Sequence, residues 1–198
     1  MGQEIAVIRY NAGNIRSVRL ALERIGATAL VTDEPDRLRS ADKVIFPGVG
    51  EASSAMRYLR DRGLDAVIRS LQQPFLGICL GMQLMCRFSE ENDTACLGLF
   101  EEDVQRFDPG GKPFKVPQMG WNAITGLQGP LFHGLGEAPY MYFVHSYFAT
   151  LGFDTCAVTD HIHPFSAALS RGNFYGVQFH PEKSAFAGEQ ILRNFLEL

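Results

Sequence analysis

Through the first half of the chain, short unbroken apolar runs take turns with apolar residues spaced at three and four. "EIAVI" (4–8), "ATALV" (27–31), "KVIFPGVG" (43–50) and "PFLGI" (74–78) have the length and content of buried strands, the third running into a Pro-Gly turn. Between them, "NIRSVRLALERIG" (14–26) places Ile15, Val18, Leu22 and Ile25 on one helical face. Asn14 can cap that helix and Gly26 can close it. "AMRYLRDRGLDAVIRSLQQ" (55–73) reads as helix in two pieces, and Leu80, Leu84 and Met85 resume helical spacing. Strands alternating with helices predict a parallel sheet with right-handed crossovers, whose functional groups collect at the carboxyl ends of the strands.

The second half is richer in strand. "YMYFVHSYFAT" (140–150), "TCAVT" (155–159), "FSAAL" (165–169) and "FYGVQF" (174–179) are predicted strands, and "EQILRNFLEL" (189–198) a closing helix. "FDPGGKP" (107–113) reads as an exposed loop. There is no internal repeat, low-complexity tract or linker, so residues 1–198 are expected to form a single domain. The expected class is α/β, with a mixed, mostly parallel open sheet flanked by helices.

Composition narrows the partners more than the fold. Hydrophobic residues make up 46% and charged residues 20% of 198, a globular balance. A net charge of −4 argues against nucleic acid as the main partner. The opening "MGQEIAVIRY" is too short in apolar content for a signal peptide or membrane span and lacks a myristoylation Ser or Thr. Cys79, Cys86, Cys96 and Cys156 include no C-x-x-C pair. Reduced thiols in a cytoplasmic protein are therefore expected.

The candidate chemistry centres on "PFLGICLGMQLM" (74–85), where an apolar run turns into a helix at Gly77-x-Cys79-x-Gly81. This is the thiol counterpart of the G-x-S-x-G nucleophile elbow, in which small neighbours permit a strained strand-to-helix turn. The first helical N–H groups and the helix dipole would favour the thiolate. The alternative is a buried core cysteine beside glycines that serve a tight turn. A base for the thiol is available in "GVQFHPEKS" (176–184). There His180 and Glu182, two apart at a strand end, would share one face, with Glu182 orienting the imidazole. Oxyanion donors would come from the backbone of Leu80 and of Gly48 or Val49, if the "PGVG" turn lies beside the elbow. His161 and His163 have strand spacing but no third ligand nearby, so no metal is expected. His133 and His145 read as structural or surface groups.

In this order, "PGVG", "GICLGMQ" and "GVQFHPEKS" resemble the class I (triad) glutamine amidotransferases, which implies a flavodoxin-like sheet. "YNAGNIRSV", "PQMGWN" (117–122), "YFVHSY" (142–147) and Met82, where sister glutaminases usually carry His, are similar to the glutaminase subunits of imidazole glycerol phosphate synthases. The similarity runs from about Ile5 to Phe195. It implies that Cys79 attacks the side-chain amide of L-glutamine, that His180 and Glu182 are base and orienter, and that Gln83 helps hold glutamine. No cofactor is implied. Ammonia would pass to a partner cyclase subunit, a (β/α)8 barrel, in a heterodimer that makes imidazole glycerol phosphate and an aminoimidazole carboxamide ribotide in histidine biosynthesis. Asn14, Trp121, Tyr142 and Lys183 would lie at the subunit interface, although each also reads as a cap, packing aromatic or solvated charge. The chain departs from the family at Arg9-Tyr10-Asn11, where Asp-Tyr-Gly is common. Other readings are a paralogue feeding a sugar-modifying amidotransferase, a non-catalytic regulatory module, and a stand-alone γ-glutamyl hydrolase or cysteine peptidase.

Overall fold

The computed structural model describes residues 3–11, 13–111 and 113–198. Outside the described residues lie Met1 and Gly2, read above for a processing signal, Ala12 of "YNAGN" and Lys112 of "FDPGGKP".

In chain order the first half contains β1 (Ile5–Ile8), α1 (Ile15–Arg24), β2 (Ala29–Thr32), α2 (Pro35–Ser40), β3 (Lys43–Phe46), α3 (Ala52–Asp61), α4 (Leu64–Ser70), β4 (Phe75–Ile78) and α5 (Leu80–Met85). The second half adds the strands β5 (Phe88–Ser89), β6 (Thr94–Ala95), β7 (Asp103–Arg106), β8 (Gln118–Ala123), β9 (Tyr140–His145) and β10 (Tyr147–Ala149). It closes with β11 (Thr155–Asp160), β12 (Pro164–Arg171), β13 (Phe174–Val177) and α6 (Ala185–Glu197).

Among the described residues, one eleven-stranded sheet runs β2-β1-β3-β4-β13-β12-β10-β7-β5-β6, with β11 paired to β12 outside that path. The five strands from β2 to β13 are mutually parallel. Antiparallel pairing begins at β12. The expected mixed, mostly parallel sheet is therefore the observed one in the half that carries the site. Each strand of that half sends alternate residues to opposite faces. Ala6 and Ile8 of β1 pack with Leu38, Met56, Leu59 and Ile68 of α2, α3 and α4. Ile5 and Val7 pack with Val18 and Leu22 of α1 and with Ile191 and Phe195 of α6. Both faces of β1, β3 and β4 are covered, which is why these strands read as unbroken apolar runs. No helix among the described residues is long and apolar enough to cross a membrane.

The first helix ends as expected. Gly26 takes φ +82° and donates its N–H to the Glu23 carbonyl at 3.0 Å, while Ala27 donates to Leu22 at 2.9 Å. Three expectations need correction. The stretch 140–150 is two strands, because the chain changes sheets at Ser146: β9 pairs with β8 in a separate two-stranded sheet and β10 joins the large one. The last strand stops at Val177, not 179. Phe107 does not belong to an exposed loop; it is buried, stacked on Phe148 with ring centroids 4.5 Å apart. Elements α2 and β5 to β8 escaped the sequence reading because they are short or polar: α2 is "PDRLRS", with Leu38 its one buried residue.

Candidate active site

The parallel register brings three loops together. Val177 of β13 pairs with Ile78 of β4, and Phe46 of β3 with Gly77. One step further along, Gln178, Cys79 and the Pro47–Gly50 turn therefore meet at the carboxyl end of the sheet, where such folds hold their ligands.

Cys79 has φ 52° and ψ −108°, a region that costs a non-glycine residue about 1–3 kcal/mol. Its N–H donates to the Val177 carbonyl at 2.7 Å, and its carbonyl accepts from Gln83 N–H at 3.1 Å, so strand and helix both pin the elbow. The flanking glycines are required by close approach. A Cβ on Gly81 would stand 1.9 Å from the Phe46 carbonyl oxygen, and one on Gly77 would stand 2.4 Å from Met85 Sδ and 2.8 Å from the Met82 nitrogen. G-x-C-x-G thus lets α5 lie directly against β3 and β4. All four cysteines are free and buried.

His180 and Glu182 are adjacent, but not through strand periodicity. β13 has ended, and His180 caps a 3-10 turn over Pro181–Lys183 that folds Glu182 back under the ring. His180 Nδ1 lies 2.7 Å from Glu182 Oε1, and both side chains are fully buried. Nε2 is buried with no hydrogen-bond partner. Burial opposes charge on this imidazole, but the pull of the nearby Cys79, followed by the hydrogen bond and charge of Glu182, outweighs it and raises the pKa to about 10. Cys79, His180 and Glu182 can therefore act as nucleophile, base and orienter.

The "PGVG" turn does lie beside the elbow. Leu80 N–H, however, donates to the Gly48 carbonyl at 3.3 Å, so this expected oxyanion donor is engaged within the chain. The Val49 carbonyl accepts from Gly13 N–H at 3.2 Å. A Cβ on Gly48 would stand 1.9 Å from the Tyr10 hydroxyl, itself buried without a partner.

Asn14 occupies the N-cap position of α1 but does not cap it: it is left-handed, with φ 77°, and its side chain makes no cap bond. Instead its Nδ2 donates to Glu182 Oε1 and lies 3.3 Å from His180 Nδ1. Trp121, Tyr142 and Lys183 form one stack, with the indole edge-on to the phenol at 6.1 Å and the Lys183 ammonium 5.8 Å from the same ring. Tyr142 also braces the triad, because its carbonyl accepts from His180 N–H at 2.9 Å. Arg9, the charge departure, pairs with Asp33 at 2.5 Å, holding that carboxyl below its usual range by hydrogen bonding.

A cavity of about 160 Å³ opens on Cys79, lined by Val49, Gly50, Leu80, Gln83, Glu91 and Val144–Tyr147. At about five water volumes it suits one small metabolite rather than a polymer. Gln83 spends both amide hydrogens, on the Tyr147 carbonyl at 2.8 Å and on Gln178 Oε1 at 2.9 Å, so its oxygen is what it can offer a ligand. Sequence reading missed Glu91, which sits in the cavity wall with burial raising its pKa and accepts Ala52 N–H at 2.7 Å. Its signal, an acid in "FSEEND", is indistinguishable from a solvated charge. His145 is not a surface group. It is buried, donates Nδ1–H to the Tyr147 carbonyl at 2.6 Å, and burial lowers its pKa to about 3. His161 and His163 pack beside Phe107, at ring distances of 5.3 and 5.7 Å.

The profile of the family "Glutamine amidotransferase class-I" matches residues 7–198. The chain is 58% identical over 195 residues to the "Imidazole glycerol phosphate synthase subunit HisH" of Bacteroides fragilis, covering 98% of this chain and all of that one. It is 43% identical to the protein of the same name from Vibrio cholerae, over the whole of both chains. Among solved structures, the PurLQS structure from Thermotoga maritima superposes with a TM-score of 0.74 at 19% identity, over the whole of this chain and 99% of that one, a likeness of fold. A strained cysteine elbow, a buried His–Glu pair and a profile spanning nearly the whole sequence agree, and the chain belongs to the class I glutamine amidotransferase family.

Proposed function

We propose that this chain, as one amidotransferase domain over residues 1–198, is the glutaminase subunit of an imidazole glycerol phosphate synthase in the cytoplasm. The observation that carries the reading is the strained Cys79 beside a buried His180–Glu182 pair, at the mouth of a cavity sized for one amino acid. The Cys79 sulfur attacks the side-chain amide carbon of glutamine, forming a C–S bond. His180 gives a proton to the departing nitrogen as the C–N bond breaks, and ammonia leaves. Water, with its proton taken by His180, then cleaves the thioester to glutamate and regenerates the thiolate. The Glu91 carboxylate and the Gln83 oxygen suit the α-ammonium of glutamine.

A partner surface continuous with the site supports the subunit reading. Trp121 pairs with Tyr142 and Met119 with Val144 across β8 and β9, so these side chains share one face. Met119, Trp121 and Tyr140 are exposed at 67%, 52% and 62%, and Val144 at the end of that face lines the cavity. An aromatic patch leading into the cavity fits docking of the (β/α)8-barrel cyclase, with Trp121 as an anchor.

The test is glutamate release by the isolated chain and by its mixture with the cyclase. Release should rise on mixing. Cys79→Ala should abolish it while the complex still cyclises with added ammonia. Equal rates alone and mixed, or loss of ammonia-dependent cyclisation in an assembled Cys79→Ala complex, would overturn the reading.

A further inference from the structure

We propose that Gln178, which the triad does not include, is a positioning residue for the Cys79 sulfur, donating an amide N–H to it and fixing its orientation. The inference deepens the glutaminase reading and rests on it for its catalytic meaning. Gln178 is completely buried, and register sets it beside Cys79. Its Nε2 lies 3.5 Å from Cys79 Sγ.

The network leaves one orientation for this amide. The Tyr147 carbonyl can only accept, and it receives His145 Nδ1–H at 2.6 Å and a Gln83 side-chain atom at 2.8 Å. That Gln83 atom must therefore be its amide nitrogen. The second hydrogen of the same nitrogen points to Gln178 at 2.9 Å, so the receiving atom is the Gln178 oxygen. The remaining end of Gln178 is its NH2, and it faces the sulfur. A backbone carbonyl in the cavity wall thus dictates, through two side-chain amides, that a donor meets Cys79.

A buried donor favours the anionic form of its partner and restricts its rotamer. The titratable groups around the sulfur are His180 from the turn after β13, with Glu182 behind it, Tyr10 just beyond the end of β1, and Glu91, His145 and Tyr147 in the wall of the same cavity. Burial, and then the charge of Cys79, hold the Tyr10 phenol protonated, well above its usual range. Gln178 has no titratable group, so its donor contributes at any pH at which the fold persists.

The test is alkylation of Cys79 by iodoacetamide in the full-length chain as a function of pH, followed on the Cys79 peptide by mass spectrometry. Cys86, Cys96 and Cys156 are buried, and their thiols are pushed up by burial, to about 12 for the last two. Gln178→Leu should move the half-maximal pH of alkylation upward by about one unit, the worth of a hydrogen bond to a charged group. Gln178→Glu, which keeps the shape and the acceptor for Gln83 but sets a carboxylate against the sulfur, should move it further. Wild-type midpoints in both variants would overturn the proposal. If Gln178→Leu fails to fold, Gln178→Met, of similar length and without a donor, decides instead: an upward shift supports the proposal and an unchanged midpoint sinks it. The assay needs neither glutamine nor cyclase, so its outcome is separable from that of the glutaminase test.

Discussion

Asn14 shows how one residue's role depends on where its side chain goes. As a helix cap it would contribute to folding, and as an interface residue to docking. Its amide instead donates to Glu182 Oε1, the oxygen that also holds His180 Nδ1. Asn14→Ala should therefore lower kcat about tenfold at saturating cyclase, the loss of one hydrogen bond to a charged group. His180→Ala should cost far more, and Glu182→Gln should fall between them. Steady-state glutaminase kinetics at saturating cyclase separate these cases. An Asn14→Ala enzyme with unchanged kcat and weakened complex affinity would return the residue to a purely interfacial role. His180 also sets a sign for stability. Its pKa is raised, so the stability from pairing its charge is complete below about 6.5 and is lost as pH rises through about 10. Thermal midpoints from pH 6 to 10 should fall more in the wild type than in His180→Asn, and parallel curves would contradict the pairing.

At the scale of elements, the site depends on helices that begin immediately after reactive turns. α3 starts directly after the "PGVG" turn, and Glu51 caps it through Ser53 N–H at 2.7 Å and Ser54 N–H at 2.9 Å while accepting from Asn92 at 2.7 Å. Hydrogen bonding, opposed by partial burial, brings the Glu51 pKa to about 2. Glu51→Ala should cost about 1 kcal/mol at neutral pH. Because the folded pKa is depressed, that contribution is present above about 4.5 and fades as pH falls through about 2. Chemical denaturation at pH 7 and at successively lower pH should show the gap between wild type and variant closing. A gap independent of pH would mean that the carboxylate does not cap the helix.

For the whole molecule, the central feature is a site assembled but not fully opened. Cys79 and the buried His180–Glu182 pair are in place, while Leu80 N–H is taken by the Gly48 carbonyl. Rotation of the Gly48–Val49 region would free that donor, and a partner that binds the rotated state better would shift the population toward it. A missing oxyanion donor costs about 10²–10³ in rate. The isolated chain should accordingly turn over slowly, the cyclase should raise the rate, and ligand-loaded cyclase should raise it further. The gain should lie in kcat, since the donor serves the transition state. Measurement of kcat and KM in the three states decides it: full activity alone, or activation through KM only, would remove the turn from the account.

What the sequence by itself determined is everything that local order encodes. Unbroken apolar runs specified the central parallel strands β1, β3 and β4 because both faces are buried, and Gly77 and Gly81 marked the elbow because two neighbouring elements leave no room for a Cβ. Cys79, His180 and Glu182 were legible as residue types able to do the chemistry. The tertiary structure decided what depends on contacts between distant segments. That Asn14 meets Glu182 across 168 positions, that Gln178 and Gln83 orient one another, that the strand at 140–150 breaks at Ser146 to line the cavity, and that Leu80 is engaged by Gly48 all follow from register between strands far apart in the chain. Polar side chains such as Glu91 and Gln178 look the same in sequence whether solvated or buried. Their roles arise from burial and from partners in distant segments: Gln178 meets Gln83 and Cys79 only after β4 and β13 lie side by side, and Glu91 meets the Ala52 N–H only once the chain after β5 lies against the start of α3.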